Sequence, residues 1–225
     1  MKELCSSPFF GLGITMITFS IGVKVKQKTN SPFANPLVIA ILMIISVLLI
    51  FDIPLESYQA GGNVIGMFLG PATACLAVSI YHKRKYLKKC WLPILVGCTC
   101  GVVTSIGSIY LMSKAFGLSE EITIALIPKS VTMPIALGVT ESHGGLAPFT
   151  IGAVVLTGII GNLFVRSFIK IFKVDDPMAA GLAIGACSHA VGTSKAIEIG
   201  ETQGAMSGLA IGLCGIITVF LSLFL

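Results

Sequence analysis

Charge is what this sequence has least of. Only 11% of its 225 residues are charged, where a soluble domain carries about 25%. With 55% hydrophobic residues and a mean hydropathy of +0.96, the shortfall excludes a soluble all-helical domain, which would need far more charge to cover its surface. The chain reads instead as a membrane protein. Catalytic signatures are missing too: there is no GxSxG, no HExxH and no P-loop. Ser188 and His189 are adjacent, and neighbours on a helix do not face each other, so they suggest no nucleophile–base pair. The chain is read as no enzyme, with no catalytic residue and no cofactor. Nor is there a disulfide framework, because the cysteines number seven and most sit in apolar surroundings. Cys98 and Cys100, two apart, do not share a helix face, so no metal site is expected. The net charge of +5 is not a nucleic-acid footprint either. It comes from short basic clusters, Lys24/Lys26/Lys28, residues 82–89 and Arg166/Lys170/Lys173, of the kind cytoplasmic loops carry.

What is there is a series of apolar runs. The expected helices are Pro8–Val23, Pro36–Phe51, Asn63–Tyr81, Trp91–Phe116, Leu146–Phe164 or a little beyond, Pro177–Ile199 and Ala205–Leu225. The first of these reads as a membrane helix rather than a signal peptide, since it lacks a clear small-residue cleavage site and ends in lysines. Residues 122–145 are different. Pro128 and Pro134 cannot continue a helix without losing backbone hydrogen bonds, Gly144-Gly145 punctuates the return, and two crossings would need about 40 residues. A re-entrant hairpin fits, and it also keeps every basic loop on one side. The expected fold is therefore an all-α polytopic membrane protein, with about seven transmembrane helices plus a re-entrant hairpin. In that topology the trio 36–116 and the trio 146–225 run in opposite senses, each with a broken middle member. Inverted-topology repeats with broken helices point to a transporter site near the bilayer midplane.

Polar groups inside a span are costly, and they persist where they face protein or a water-filled cavity. Three segments carry them. Asn63, Gly70-Pro71 and Thr73 interrupt the third span, although a plain proline kink would account for these. Pro128-Lys-Ser-Val-Thr-Met-Pro134 offers Lys129, Ser130 and Thr132 at the start of a half-helix, a natural anion site; a Lys129 that snorkels to a headgroup is the plainer reading. Ala186-Cys-Ser-His-Ala-Val-Gly-Thr-Ser-Lys195 brings Ser188, His189, Thr193 and Lys195. His189 and Thr193 share a helix face, and Lys195 can pair with Glu198. Packing alone, or an interfacial ion pair, would explain each of these singly.

Several stretches are closely similar to one family. Leu69-Gly-Pro-Ala-Thr73, Leu126-Ile-Pro-Lys-Ser-Val-Thr-Met-Pro-Ile-Ala136, Glu141-Ser-His-Gly-Gly145 and Gly181-Leu-Ala-Ile-Gly-Ala-Cys-Ser-His-Ala-Val-Gly-Thr-Ser-Lys-Ala196, with Glu198 and Gly200, resemble the LrgB/CidB family. The resemblance covers nearly the whole chain and implies a single LrgB-like transmembrane domain, residues 1–225, with halves 1–116 and 117–225. It implies carriage of a small monocarboxylate such as glycolate, glycerate or pyruvate. A small LrgA/CidA-like membrane partner is implied as well, along with residence in the bacterial cytoplasmic (inner) membrane. Carried over, the substrate-binding candidates are Lys129, Ser130, Thr132, Ser188, His189, Thr193, Lys195, Asn63 and Thr73. His189, Glu198 and Glu141 are candidates for proton coupling. Gly70 stands where many relatives have Glu, which bears on any coupling through that third span. A homodimer is expected because the chain is small for a carrier. The alternative is a holin/antiholin-like regulator of murein hydrolases, which needs no substrate site.

Overall fold

A computed structural model describes residues 7–29, 36–68, 71, 74, 75, 78, 81, 84, 88 and 90–224. Among the described residues the bounded elements are nine α-helices and one 3-10 turn. They are α1 (Pro8–Thr29), α2 (Pro36–Ile50), α3 (Leu55–Gly66), α4 (Trp91–Phe116), α5 (Glu120–Leu126), the turn Ile127–Ser130, α6 (Met133–Ser142), α7 (Ala147–Ile171), α8 (Pro177–Ile199) and α9 (Glu201–Ser222). Four of them, α1, α4, α7 and α9, are long and apolar enough to cross a membrane, and α2 is a shorter apolar helix. Large apolar side chains such as Phe9, Leu49, Phe116, Ile171 and Phe220 point outward, as lipid allows and water does not. The chain is a multi-pass membrane protein.

Compactness divides the chain at Met1–Ala72 and Thr73–Leu225; the halves drawn from the sequence, 1–116 and 117–225, follow topology instead. In the first unit α1 crosses α3 where glycine meets glycine. A Cβ on Gly61 would lie 2.6 Å from the Gly11 Cα, and one on Gly11 would strike the Tyr58 carbonyl. Small residues let backbones approach this closely. Thr15 and Tyr58 share a hydroxyl hydrogen bond of 3.1 Å at the same crossing. This contact explains why α3 starts at Leu55 and not near Asn63 as the sequence suggests. The polar stretch after Pro54 looks like loop, but Tyr58 is anchored on α1.

The second unit is built on two reversals. The first is the 120–145 segment. Its turn ends in two extended residues, Val131 (φ −100°, ψ 176°) and Thr132 (φ −66°, ψ 149°). The chain then doubles back, because a Cβ on Gly145 would stand 2.8 Å from Ile124 Cγ2 and 3.1 Å from the Ala125 nitrogen. A straight course would separate Gly145 from Ile124 by about 30 Å. Hydroxyls pin the fold-back: Thr150 donates to the Ala125 carbonyl (3.0 Å) and shares a 2.8 Å bond with Thr140.

The second reversal overturns a sequence expectation. The sequence of residues 177–199 predicts one broken span, but the chain turns back at His189, whose φ of 40° and ψ of −142° lie outside helical space. A Cβ on Gly192 would lie 3.3 Å from Ile184 Cγ2 and would strike Ser188 Cβ. Eight residues of unbroken helix would hold Ile184 and Gly192 about 12 Å apart. The neighbours on α9 agree. Gly181 packs on Gln203 and Met206 and Gly185 on Ser207 and Ala210, so the first arm runs parallel to α9. Gly204 packs on Ile197, and Thr193 bonds Ser207, so the second arm runs antiparallel to it. The sequence hid the reversal because His189, a non-glycine with positive φ, occupies the corner where Gly is the usual choice.

Two further boundaries differ. Helix α7 runs on past Phe164 to Ile171, carrying Arg166 and Lys170 with it, and α9 starts at Glu201, leaving Gly200 alone to connect it to α8.

Candidate functional site

Each hairpin presents its tip to the other. The first enters from the α4 C-terminal end (Phe116, then Glu120) and the second from the α7 C-terminal end (Ile171, then Pro177). Helix α4 and helix α7 finish at opposite ends of the unit, because the first hairpin returns to where it started and α7 then crosses. The tips therefore approach from opposite ends. They meet around a narrow cavity of about 10 Å³ lined by Ser105, Pro128, Ser130, Val131, Ala186 and Thr218, among others. A space of that size holds about one water.

The polar centre sits beside this cavity. Lys129 Nζ donates to Ser105 Oγ and to Ser130 Oγ, each at 3.2 Å, and the two hydroxyls are 2.9 Å apart. An ammonium has three N–H donors and each hydroxyl one. Two N–H groups are used by the serines, and one hydroxyl proton by the bond between them. Among the described residues one N–H and one O–H are left over, and the cluster's bonded partners include no carboxylate. Thr132, 8% exposed, adds a buried hydroxyl oxygen with no hydrogen-bond partner among the described residues. It precedes the first turn of α6 without capping it, although a threonine in that place ordinarily bonds a backbone N–H. Donor surplus at a helix N-terminus is the chemistry of an anion site.

The second tip is held against α7. His189, 4% exposed, approaches the Val154 carbonyl at 2.9 Å through Nε2. A carbonyl only accepts, so Nε2 carries the proton. Ser188 lies over Gly161, where any Cβ would collide with it, and a Cβ on Gly158 would stand 2.7 Å from His189 Cε1. Asn162 Nδ2 donates to the Val191 carbonyl (2.9 Å) and to Ser194 (3.4 Å). Thr193 donates to the His189 carbonyl (2.9 Å) and accepts from Ser207 at 2.7 Å.

The candidates from the sequence therefore fall into separate places. Lys129, Ser130 and Thr132 share the first tip, and Ser188 and His189 the second, with Thr193 one turn along its return arm. Lys195 pairs with Glu198 near the base of the second hairpin, and Glu141 is exposed in the last turn of α6, at the base of the first. The bonds of Lys129 run to Ser105 and Ser130 at the tip. Asn63 is exposed on α3 of the first unit, and Thr73 and Gly70 lie outside the described residues. Ser105, Asn162 and Ser207 were not singled out from the sequence. Ser105 and Ser207 are each one of several hydroxyls within apolar helices, beside Thr104 and Ser108 on α4 and Thr218 and Ser222 on α9; such residues commonly bond their own backbone, and nothing in the spacing distinguishes them. Among the described residues no group of three or more His, Cys, Asp or Glu could hold a metal ion.

Comparison with known proteins agrees with this picture at the level of family. Residues 15–225 match the LrgB-like family. The chain is 34% identical over 218 residues to the antiholin-like protein LrgB of Bacillus subtilis (strain 168), covering 96% of this chain and 94% of that one. The antiholin-like protein LrgB of Bacillus mycoides (strain KBAB4) is likewise 34% identical over 214 residues, 95% of this chain and 93% of its own. That of Bacillus cereus (strain B4264) shows the same identity and coverage. No solved structure matches. With a family match over nearly its full length and relatives at this identity, the chain belongs to the LrgB-like family.

Proposed function

We propose that the chain is an antiholin-like membrane protein, the role its relatives are named for, acting in the bacterial cytoplasmic membrane beside a small LrgA-like membrane protein. The observation that carries this is the 34% identity to those relatives along almost the whole of both chains. A cell whose autolysis is measured with and without the gene tests it. Autolysis rising on deletion and falling on restoration supports the role; an unchanged rate counts against it.

A second reading is favoured by one specific feature, the donor-rich cluster of Lys129, Ser105 and Ser130 where two hairpin tips meet. A regulator with no ligand has no need of an ammonium at mid-depth, where ionisable groups are expensive. A carrier of small monocarboxylates such as glycolate, glycerate or pyruvate does need one. In this reading Lys129 neutralises the carboxylate, the serine hydroxyls and Thr132 orient it, and Ser188 and His189 close the site from the second tip. Residues Arg166, Lys170 and Lys173 mark the cytoplasmic end of the unit. Uptake of labelled acids into proteoliposomes, with and without the LrgA-like protein, separates the readings. Uptake abolished by Lys129→Ala in an inserted protein supports carriage, and no uptake of any such acid in either preparation leaves the regulatory role alone. A homodimer belongs to the same proposal and is tested by cross-linking in the membrane.

A further inference from the structure

We infer that residues 120–171 and 177–222 are two copies of one element, a helical hairpin followed by a crossing helix, inserted with opposite sense, and that the second hairpin is the gate of the site between them. This places both repeats inside the 117–225 half, where the sequence had suggested one repeat in each half. The first copy is α5, the turn, α6 and α7; the second is the two arms of α8 and α9. Each hairpin enters and leaves at one end, each following helix crosses to the other, and the tips oppose at the polar cluster. The gate rests on the carrier reading for what would pass through it, but its movement is independent of that reading.

Two observations choose the second hairpin as the mobile one. The first hairpin is tied into its surroundings by side-chain hydroxyls and an ammonium: Ser130 and Lys129 on Ser105 at the tip, and Thr150 on Thr140 and Ala125 toward the base. The second has free space beside it. A groove of about 590 Å³ runs between its first arm (Ala180, Ala183, Cys187) and α7 (Ile160, Phe168, Phe172), beside the packed pair Val165 and Ile184. The groove leaves that side of the arm unpacked, while its other side packs on α9 through Gly181 and Gly185. Its tip is latched to α7 by the His189–Val154 and Asn162–Val191 bonds, and it rests on the glycine bed of Gly158 and Gly161. With the latch closed, the cavity between the tips, about 10 Å³, cannot take an anion of several heavy atoms. Withdrawal of the second tip opens the cluster toward the end that carries Arg166, Lys170 and Lys173. Cys187, exposed at this tip, would move with it.

The test reads access, not transport. The native cysteines are replaced, Val131→Cys is placed on the fixed tip at the cavity wall, and a membrane-impermeant thiol reagent is applied from each side of sealed vesicles. Gly161→Ala pushes Ser188 off its bed, and Asn162→Ala removes one of the latch's two bonds without adding bulk. Gly107→Ala, where an added Cβ meets nothing within 4 Å, is the control. Labelling from the basic end at least tenfold faster in Gly161→Ala or Asn162→Ala than in the control is the expected result. Rates unchanged in both variants, or raised from the opposite end, overturn the gate. If Gly161→Ala fails to insert, Asn162→Ala decides alone. A protein that gates in this way yet takes up no acid would reject the carrier reading and keep the gate.

Discussion

Gly192→Ala distinguishes a reversed chain from a continuous span by the sign of its effect. Inside an unbroken helix, alanine stabilises relative to glycine by up to about 1 kcal/mol. In this structure the added Cβ would strike Ser188 Cβ and lie 3.3 Å from Ile184 Cγ2. Ser188 Cβ is rooted on the backbone, so the clash cannot be relieved by swinging a flexible side chain. Overpacking of this kind costs about 1–3 kcal/mol, which outweighs the propensity gain and leaves a net loss of up to about 2 kcal/mol. The assay is reversible unfolding in mixed detergent micelles. Ser188→Gly on the same background should recover part of the loss, with a coupling of about 1–2 kcal/mol between the two sites. A Gly192→Ala protein as stable as the parent, or more so, with additive behaviour in the double variant, would refute the reversal.

Three further outcomes follow from the same geometry. Thr132→Val removes a buried hydroxyl that satisfies nothing in the fold. Stability measured by the same unfolding titration should hold or rise by up to about 1 kcal/mol, while uptake, if the unit is a carrier, should fall severalfold. Lys195→Ala breaks an ion pair whose glutamate is exposed, so it should cost no more than about 0.5 kcal/mol, and high salt should erase the difference. In the first unit, Gly61→Ala forces α1 and α3 apart at the point where Gly61 meets Gly11. It should destabilise the protein in detergent by about 1–3 kcal/mol of overpacking, read as a lower melting temperature, whereas Gly13→Ala, with nothing within 4 Å, should not.

How far the sequence alone led depended on which signals were local. Helix α4 runs from Trp91 to Phe116 as read, bounded by a basic cluster on one side and Gly117 in left-handed conformation on the other. The fold-back of residues 122–145 was legible because two prolines and a glycine pair announce it. The Lys129–Ser130 pairing was legible because a lysine between prolines is hard to place by packing. The turn at His189 was not, since no proline or glycine occupies the corner; the reversal is enforced by close packing of Gly192, Gly185 and Gly181 on neighbours that are distant in sequence or folded back. A helical periodicity count sees those glycines only as small residues. The same limit applies to Ser105, whose importance comes from a partner 24 residues away. The extra length of α7 was missed because Arg166 and Lys170 resemble loop charges, although long basic side chains can ride a helix out to the membrane surface.

The central claim, that the chain turns back at His189 so that two hairpin tips face each other, is open to one direct measurement. Val165 packs in one buried cluster with Ile184 and Ala196, which an unbroken α8 would hold about 18 Å apart. Cysteine pairs Val165→Cys/Ile184→Cys and Val165→Cys/Ala196→Cys, made separately in a cysteine-free background and oxidised in the membrane, read both arms against the same point on α7. Disulfides in both pairs are expected if the chain reverses. Cross-linking in one pair alone, with the other remaining reduced, would mean that residues 177–199 cross the membrane in a single pass.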